Sequence, residues 1–218
     1  MTESEQVGRR AREFFDGLWA KGDPWAIETA ELTRREHARL IELVEERRYR
    51  RVLEIGCGAG VFTSRLAAIS DSVLALDIAS VAIERARALN LGPAVAFRVA
   101  NVMEFNPRSE GPWDLVVMNE MIYLLGWLYP FFNVAWLASE LFAATAAGGR
   151  MIMANTMCGI EHPLLLPWII RTYHDLFRNV GYQVETEEVI RGVKDGVELE
   201  ILISRLVKPA APLKEPDH

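Results

Sequence analysis

Three glycines at alternate positions, Gly56, Gly58 and Gly60, follow the apolar run Val52 to Ile55 and open onto a helical pattern. A glycine turn between a strand and a helix lets backbone N–H groups and the helix dipole approach a ligand, because no Cβ stands in the way. About twenty residues on, a second apolar run, VLALD, ends in the carboxylate of Asp77, with Ile78 beside it. An acid at the tip of the second strand can accept both hydroxyls of a ribose. With Glu54 two residues before the first glycine, these positions describe a nucleoside pocket. The dinucleotide fingerprint needs its third glycine where Val61 stands, which counts against a nucleotide-dependent oxidoreductase.

Further polar residues fall where a parallel sheet would present them to that pocket. Asn119 and Glu120 end the run WDLVVM, and ligands of open α/β sheets lie beyond the carboxyl ends of the strands. Glu120 has three readings: partner of a substrate amine, general base, or a helix N-cap contact. Tyr123 then lines an acceptor pocket or simply packs. His162, in TMCGIEHP, has the right unperturbed pKa to take a proton from an acceptor hydroxyl, although the proline after it makes a rigid turn equally plausible. His174 reads as packing or surface. Cys57 and Cys158 have neither disulfide nor zinc spacing, and no metal-ligand cluster stands out.

The elements that must position these groups are legible from periodicity. Residues 3 to 47 read as two helices, the first carrying Val7, Ala11, Phe14, Phe15, Leu18 and Trp19. In KGDPW, Gly22 stops that helix, Asp23 can cap the next and Pro24 suits its first turn. The second helix is expected to bury Ile27, Leu32, Leu40, Leu43 and Val44. Strands are expected at 51–55, 72–76, 94–99, 113–118 and 149–155, with helices near 60–68, 79–89 and 131–146, the last ended by Gly148 and Gly149. Such alternation argues for a parallel sheet covered on both faces. A helix over 164–179 and two strands, 182–190 and 197–206, joined at KDG as an antiparallel hairpin, complete the fold.

The 218 residues, 50% hydrophobic and 25% charged, fit one ordinary globular domain. A net charge of −6 makes nucleic acid an unpromising partner. The arginines between 47 and 51 read as a solvated helix end. The longest apolar stretch, Met118 to Leu137, is interrupted by Glu120, Gly126 and Pro130, so no membrane span is expected. The N-terminus has no apolar signal core, and a cytoplasmic location is the default. The proline-rich tail, 208–218, is expected to be disordered.

The run E-x-G-x-G-x-G resembles the first motif of the class I S-adenosylmethionine (SAM) methyltransferases. DPW at 23–25, an Arg34-x-x-His37 step, LEIGCGAGVFTSRLA and VVMNEMIYLL narrow the likeness to the nodulation-type methyltransferases, from about residue 13 to residue 206. That family methylates the free amine of a deacetylated chitooligosaccharide. The resemblance implies a Rossmann-like, seven-stranded, mostly parallel sheet with helices on both faces and a C-terminal antiparallel hairpin. It implies an N-terminal helical cap, 1–49, over the SAM site of a core spanning 50–207. It also implies that Trp25 walls the cofactor, Arg34 meets its carboxylate, and Asn101 with Val102 meets the adenine. His37 sits on the cap helix. The acceptor side carries GIEHPLLLPWII and MIYLLGWLYPFF, more apolar than a long sugar chain needs. The expected acceptor is a small molecule, an amino sugar or sugar or a lipophilic natural product, methylated on N or O. Tyr129, Leu164, Leu165 and Trp168 are candidates for its wall, or for core or a homodimer contact. A SAM-binding, non-catalytic relative is the other alternative.

Overall fold

Short apolar strands alternating with helices bury both faces most readily as a parallel sheet between two helical layers. The computed structural model, which describes residues 3–158 and 163–210, has that arrangement. Its strands are β1 (Val52–Ile55), β2 (Val73–Asp77), β3 (Val95–Val99), β4 (Trp113–Asn119), β5 (Thr145–Met157), β6 (Gln183–Lys194) and β7 (Val197–Val207). The order across the sheet is β3-β2-β1-β4-β5-β7-β6, with β1 to β5 parallel and β7 antiparallel to both its neighbours. The helices are α1 (Glu3–Trp19), α2 (Glu31–Glu42), α3 (Val61–Ala68), α4 (Ser80–Ala88), α5 (Pro107–Glu110), α6 (Ile122–Leu128), α7 (Phe131–Ala144) and α8 (Pro167–Asn179). This is the expected seven-stranded class I methyltransferase architecture with its late hairpin.

The two-residue period of the strands divides the core in two. Leu53, Ile55, Val116 and Met118 pack with Ile122, Leu137, Leu141 and Phe177 on one face. Val52, Val73, Leu115 and Val117 pack with Leu40, Val44, Phe62 and Leu66 on the other. Glu54 shares the second face, which brings it under α3. No helix among the described residues is long and apolar enough to cross a membrane.

Several local expectations are corrected. Helix α7 ends at Ala144, not at the glycine pair, because β5 already begins at Thr145. The register against β4 jumps from Trp113–Thr145 to Leu115–Arg150, so the segment holding Gly148 and Gly149 is a bulge. Helix α2 starts at Glu31, with Ala30 before it. Asp23 instead caps the preceding turn, accepting from the N–H groups of Trp25 at 3.2 Å and Glu28 at 3.1 Å, and Ile27 lies outside the helix. The arginines after α2 are not a helix end. Arg47 and Arg51 donate to the carbonyls of Gly148 and Gly111, and Arg48 to that of Ser70, so they lace the sheet edge remote from the glycine turn. The expected disordered tail falls mostly outside the described residues.

The β6–β7 hairpin closes tightly. Asp195 and Gly196 both have positive φ, 53° and 79°, the signature of a two-residue turn. This lets β6 run far enough to pack along α2. Arg39 holds Glu188 in a two-point ion pair at 2.6 and 2.9 Å, and Arg35 donates to the Arg191 carbonyl at 3.3 Å.

Candidate functional site

One cavity of about 680 Å³ runs along the carboxyl edge of the sheet, from the glycine turn to the hairpin tip. A crevice at this edge, where the strand order reverses between β1 and β4, is the usual ligand site of an open α/β sheet.

The glycine-turn end is built by contacts short in sequence. Gly56 has φ 78°, and a Cβ there would collide with the Met121 side chain, so the position requires glycine twice over. Gly58, at φ 52°, donates its N–H to Asp77 Oδ2 at 2.8 Å, while Asp77 Oδ1 accepts from Ala79 N–H at 2.8 Å. Each carboxylate oxygen keeps a further lone pair for a ligand. Burial raises the Asp77 pKa, opposed by these backbone donors. Glu54 is buried and accepts from Thr63 Oγ1 at 2.6 Å. Burial first, then the nearby Asp77 charge, raises it to about 7, against the Thr63 bond. It therefore braces β1 against α3 as well as touching the cavity wall. Gly60 caps α3 in a left-handed conformation and does not line the cavity.

Ile78, Asn101 and Val102 line the same end. Asn101 Oδ1 accepts from Met103 N–H at 3.1 Å, and its amide donates to Glu104 at 3.0 Å and to the Tyr129 hydroxyl at 2.9 Å. Tyr129 thus lines the cavity beside Asn101. Trp25 lines the cavity from the segment between α1 and α2, with its ring 5.6 Å from that of Trp19.

The hairpin end is assembled from distant segments. Helix α2 turns Leu32, Thr33, Glu36 and His37 inward, and β4, α6 and β5 bring Asn119, Glu120, Tyr123 and Thr156. Lys194 and Asp195 come from the hairpin tip. Glu120 sits at positive φ, 54°, and its Oε1 accepts from both the N–H and the hydroxyl of Thr156 at 2.8 Å. Burial raises its pKa to about 7, against the hydrogen bonds of Thr156 and Tyr123. Glu36 is 2% exposed, and its pKa is pushed up by burial first and the Glu120 charge second. Glu36 Oε1 and Asn119 Oδ1 have no hydrogen-bond partner. A buried polar group left so costs about 1–3 kcal/mol. His37 is buried, stacks near Phe62 at 4.9 Å and is lowered to about 4 by burial. It is neutral at physiological pH. Leu164, Leu165, Val197, Leu199 and Ile201 give this end apolar walls.

Besides Gly60, two expected residues do not line the cavity. Arg34 is exposed and donates to the Thr29 carbonyl at 2.7 Å. Trp168 is 66% exposed on α8 and does not line the cavity, because the buried stripe of that helix runs through Ile170, Tyr173 and Phe177. His162 lies outside the described residues. Glu36, Thr156 and Lys194 were not anticipated from sequence. For Glu36 a signal existed: Leu32, Thr33, Glu36, His37 and Leu40 form one i, i+3, i+4 stripe. His174 is buried between Ser204 at 2.8 Å and Asn155 at 3.0 Å, away from the cavity.

The sheet order, the glycine turn and the strand-tip acid together define a class I methyltransferase fold. The family model for nodulation protein S (NodS) matches residues 11–128, so the chain belongs to the NodS family. Nodulation protein S of Rhizobium tropici is 30% identical over 138 residues, covering 62% of this chain and 56% of that one. The chain thus spans little more than half the length of that curated relative. The crystal structure of the N-methyltransferase NodS from Bradyrhizobium japonicum WM9, in complex with S-adenosyl-L-homocysteine (SAH), superposes with a TM-score of 0.76 at 19% identity, covering 91% of this chain and 98% of that one. The [4+2]-cyclase SpnF superposes at 0.72 with 14% identity, covering 94% and 97%. One fold thus carries more than one chemistry, and the site must decide.

Proposed function

We propose that the protein is a SAM-dependent methyltransferase acting on N or O of a small molecule, an amino sugar, a sugar or a lipophilic natural product. The observation that carries this is Asp77, anchored by Gly58 and Ala79, in a cavity continuous with the carboxylates of buried Glu36 and half-buried Glu120. A nucleoside donor fits the first end and an acceptor the second. The residues present suit SAM: a ribose-reading acid at the β2 tip, close backbone approach at Gly56 and Gly58, and a Trp face that suits a sulfonium. Bound SAM would supply a methyl group already activated for transfer. The chain then has to align the nucleophile, exclude water and receive a proton.

In this reading residues 1–49 cap the donor and residues 50–207 form the core. Trp19, Trp25 and Ile27 close the cavity over the glycine turn. The walls of Leu32, Leu164, Leu165 and Leu199 favour an acceptor with a lipophilic body. NodS relatedness supports the donor more firmly than it names the acceptor. Incubation with SAM and a panel of amino sugars, sugars and lipophilic phenols, read by mass spectrometry, tests the proposal. Equal yields of SAH and a methylated acceptor are expected. SAM bound without turnover on any amine or hydroxyl would favour a non-catalytic relative.

A further inference from the structure

The hairpin end contains more unsatisfied polarity than a structural role explains. Glu36 Oε1 and Asn119 Oδ1 are both acceptors without partners, and both residues line the cavity. With Glu36 ionised and the proton of the pair on Glu120, the missing partner is a donor, and a protonated amino group offers three N–H bonds where a hydroxyl offers one. Glu120 is already engaged through Thr156, which fixes its position, and its charge acts on Glu36 within the same cavity.

We propose that Glu36 and Glu120 act as one acid pair that docks the protonated amino group of an acceptor, with Asn119, and takes its proton. The inference rests on SAM being the donor. Two neighbouring carboxylates do not both ionise easily, so the pair holds one proton and one negative charge, matching one ammonium. Burial raises both groups, and the Glu120 charge raises Glu36 further. Of the other groups facing them, Lys194 from β6 favours the charged forms, Tyr123 from α6 hydrogen-bonds Glu120, and His37 is held neutral by burial. Lys194 reaches Thr33 Oγ1 at 3.4 Å and leaves the Glu36 orphan unfilled.

The step balances. The ammonium proton passes to the ionised carboxylate, leaving a lone pair on nitrogen and a neutral, doubly protonated pair. The nitrogen–methyl bond forms as the carbon–sulfur bond of the sulfonium donor breaks, with its electron pair going to sulfur. The product leaves as a methylated ammonium, and the pair returns its extra proton to solvent.

The test uses the full chain saturated with SAH and two matched fragments, cyclohexylamine and cyclohexanol, followed by ligand-observed NMR at neutral pH. The amine is expected to bind at least about tenfold more tightly than the alcohol. Glu36→Gln should bring that ratio close to one while SAH affinity stays within about twofold. Equal binding of the two fragments to the wild type, or an amine preference that survives Glu36→Gln, would overturn the proposal. SAH binding to the wild type is measured first, so a failed donor assignment is seen separately. Carbon-13 NMR of the glutamate carboxyls in the unaltered protein covers the case in which the variant does not fold. Two coupled titration steps above the ordinary carboxylate range, displaced by cyclohexylamine, are expected, and two independent ordinary carboxyls would contradict it.

Discussion

The two ends of the cavity are built on opposite plans. At the glycine turn the polar groups are bound to one another before any ligand arrives: Asp77 to Gly58 and Ala79, Glu54 to Thr63, Asn101 to Met103 and Tyr129. At the hairpin end the acceptors of Glu36 and Asn119 are left open, and the carboxylates of Glu36 and Glu120 line the same cavity. A satisfied, preorganised end suits a ligand that every turnover shares. An end with unmet demand depends on its ligand for that satisfaction and so discriminates between acceptors.

If that contrast is right, damage to the first end is the more severe. Asp77→Ala removes the proposed ribose acceptor and frees the Gly58 and Ala79 backbone donors together. SAM affinity is expected to fall on the order of 1000-fold, about 4 kcal/mol, by equilibrium dialysis. A loss below about tenfold would mean that the strand-tip acid is not the nucleoside anchor.

Glu54 gives the next largest effect, on stability. Its carboxyl is held at about 7 against an ordinary 4.5. Raised in the folded chain, it contributes stability below the unfolded value that is lost as pH rises through the folded one. Glu54→Gln removes this dependence. Its stability relative to wild type should therefore improve by roughly 2–3 kcal/mol between about pH 5 and pH 8.5, read from urea unfolding of the ligand-free protein. A flat difference across that range would show that Glu54 keeps its charge.

A smaller effect is expected at Gly56→Ala, where the new Cβ meets Met121 and the backbone resists. SAM affinity should drop about tenfold, with the acceptor end unaffected. Smallest of all is Arg34→Ala. The resemblance implies a carboxylate partner there, but the guanidinium is exposed and turned to the Thr29 carbonyl. A change below about twofold in SAM affinity is expected, and a tenfold loss would mean that the start of α2 rearranges around the donor.

The same contrast explains what the sequence could disclose. Gly56, Gly58 and Asp77 lie on two consecutive strand ends, so a local pattern reveals their meeting. The fold was legible for the same reason, because strand and helix periods alternate cleanly from residue 52. The hairpin end draws Glu36, Glu120, Thr156 and Lys194 from four separate elements, and only tertiary packing of β6 along α2 brings them together. Arg34 and Glu36 are two residues apart on one helix, about 200° around its axis, so the helix phase decides which faces in. The break at KGDPW obscured that phase, because the helix begins at Glu31 and not after Pro24.

The central claim is the donor, and calorimetric titration of the wild-type protein with SAM, and separately with NAD⁺ and NADH, tests it most directly. The account predicts saturable SAM binding in the micromolar range, competed by SAH, and no saturable heat from either nicotinamide. Folded protein that takes up NADH and ignores SAM would contradict it.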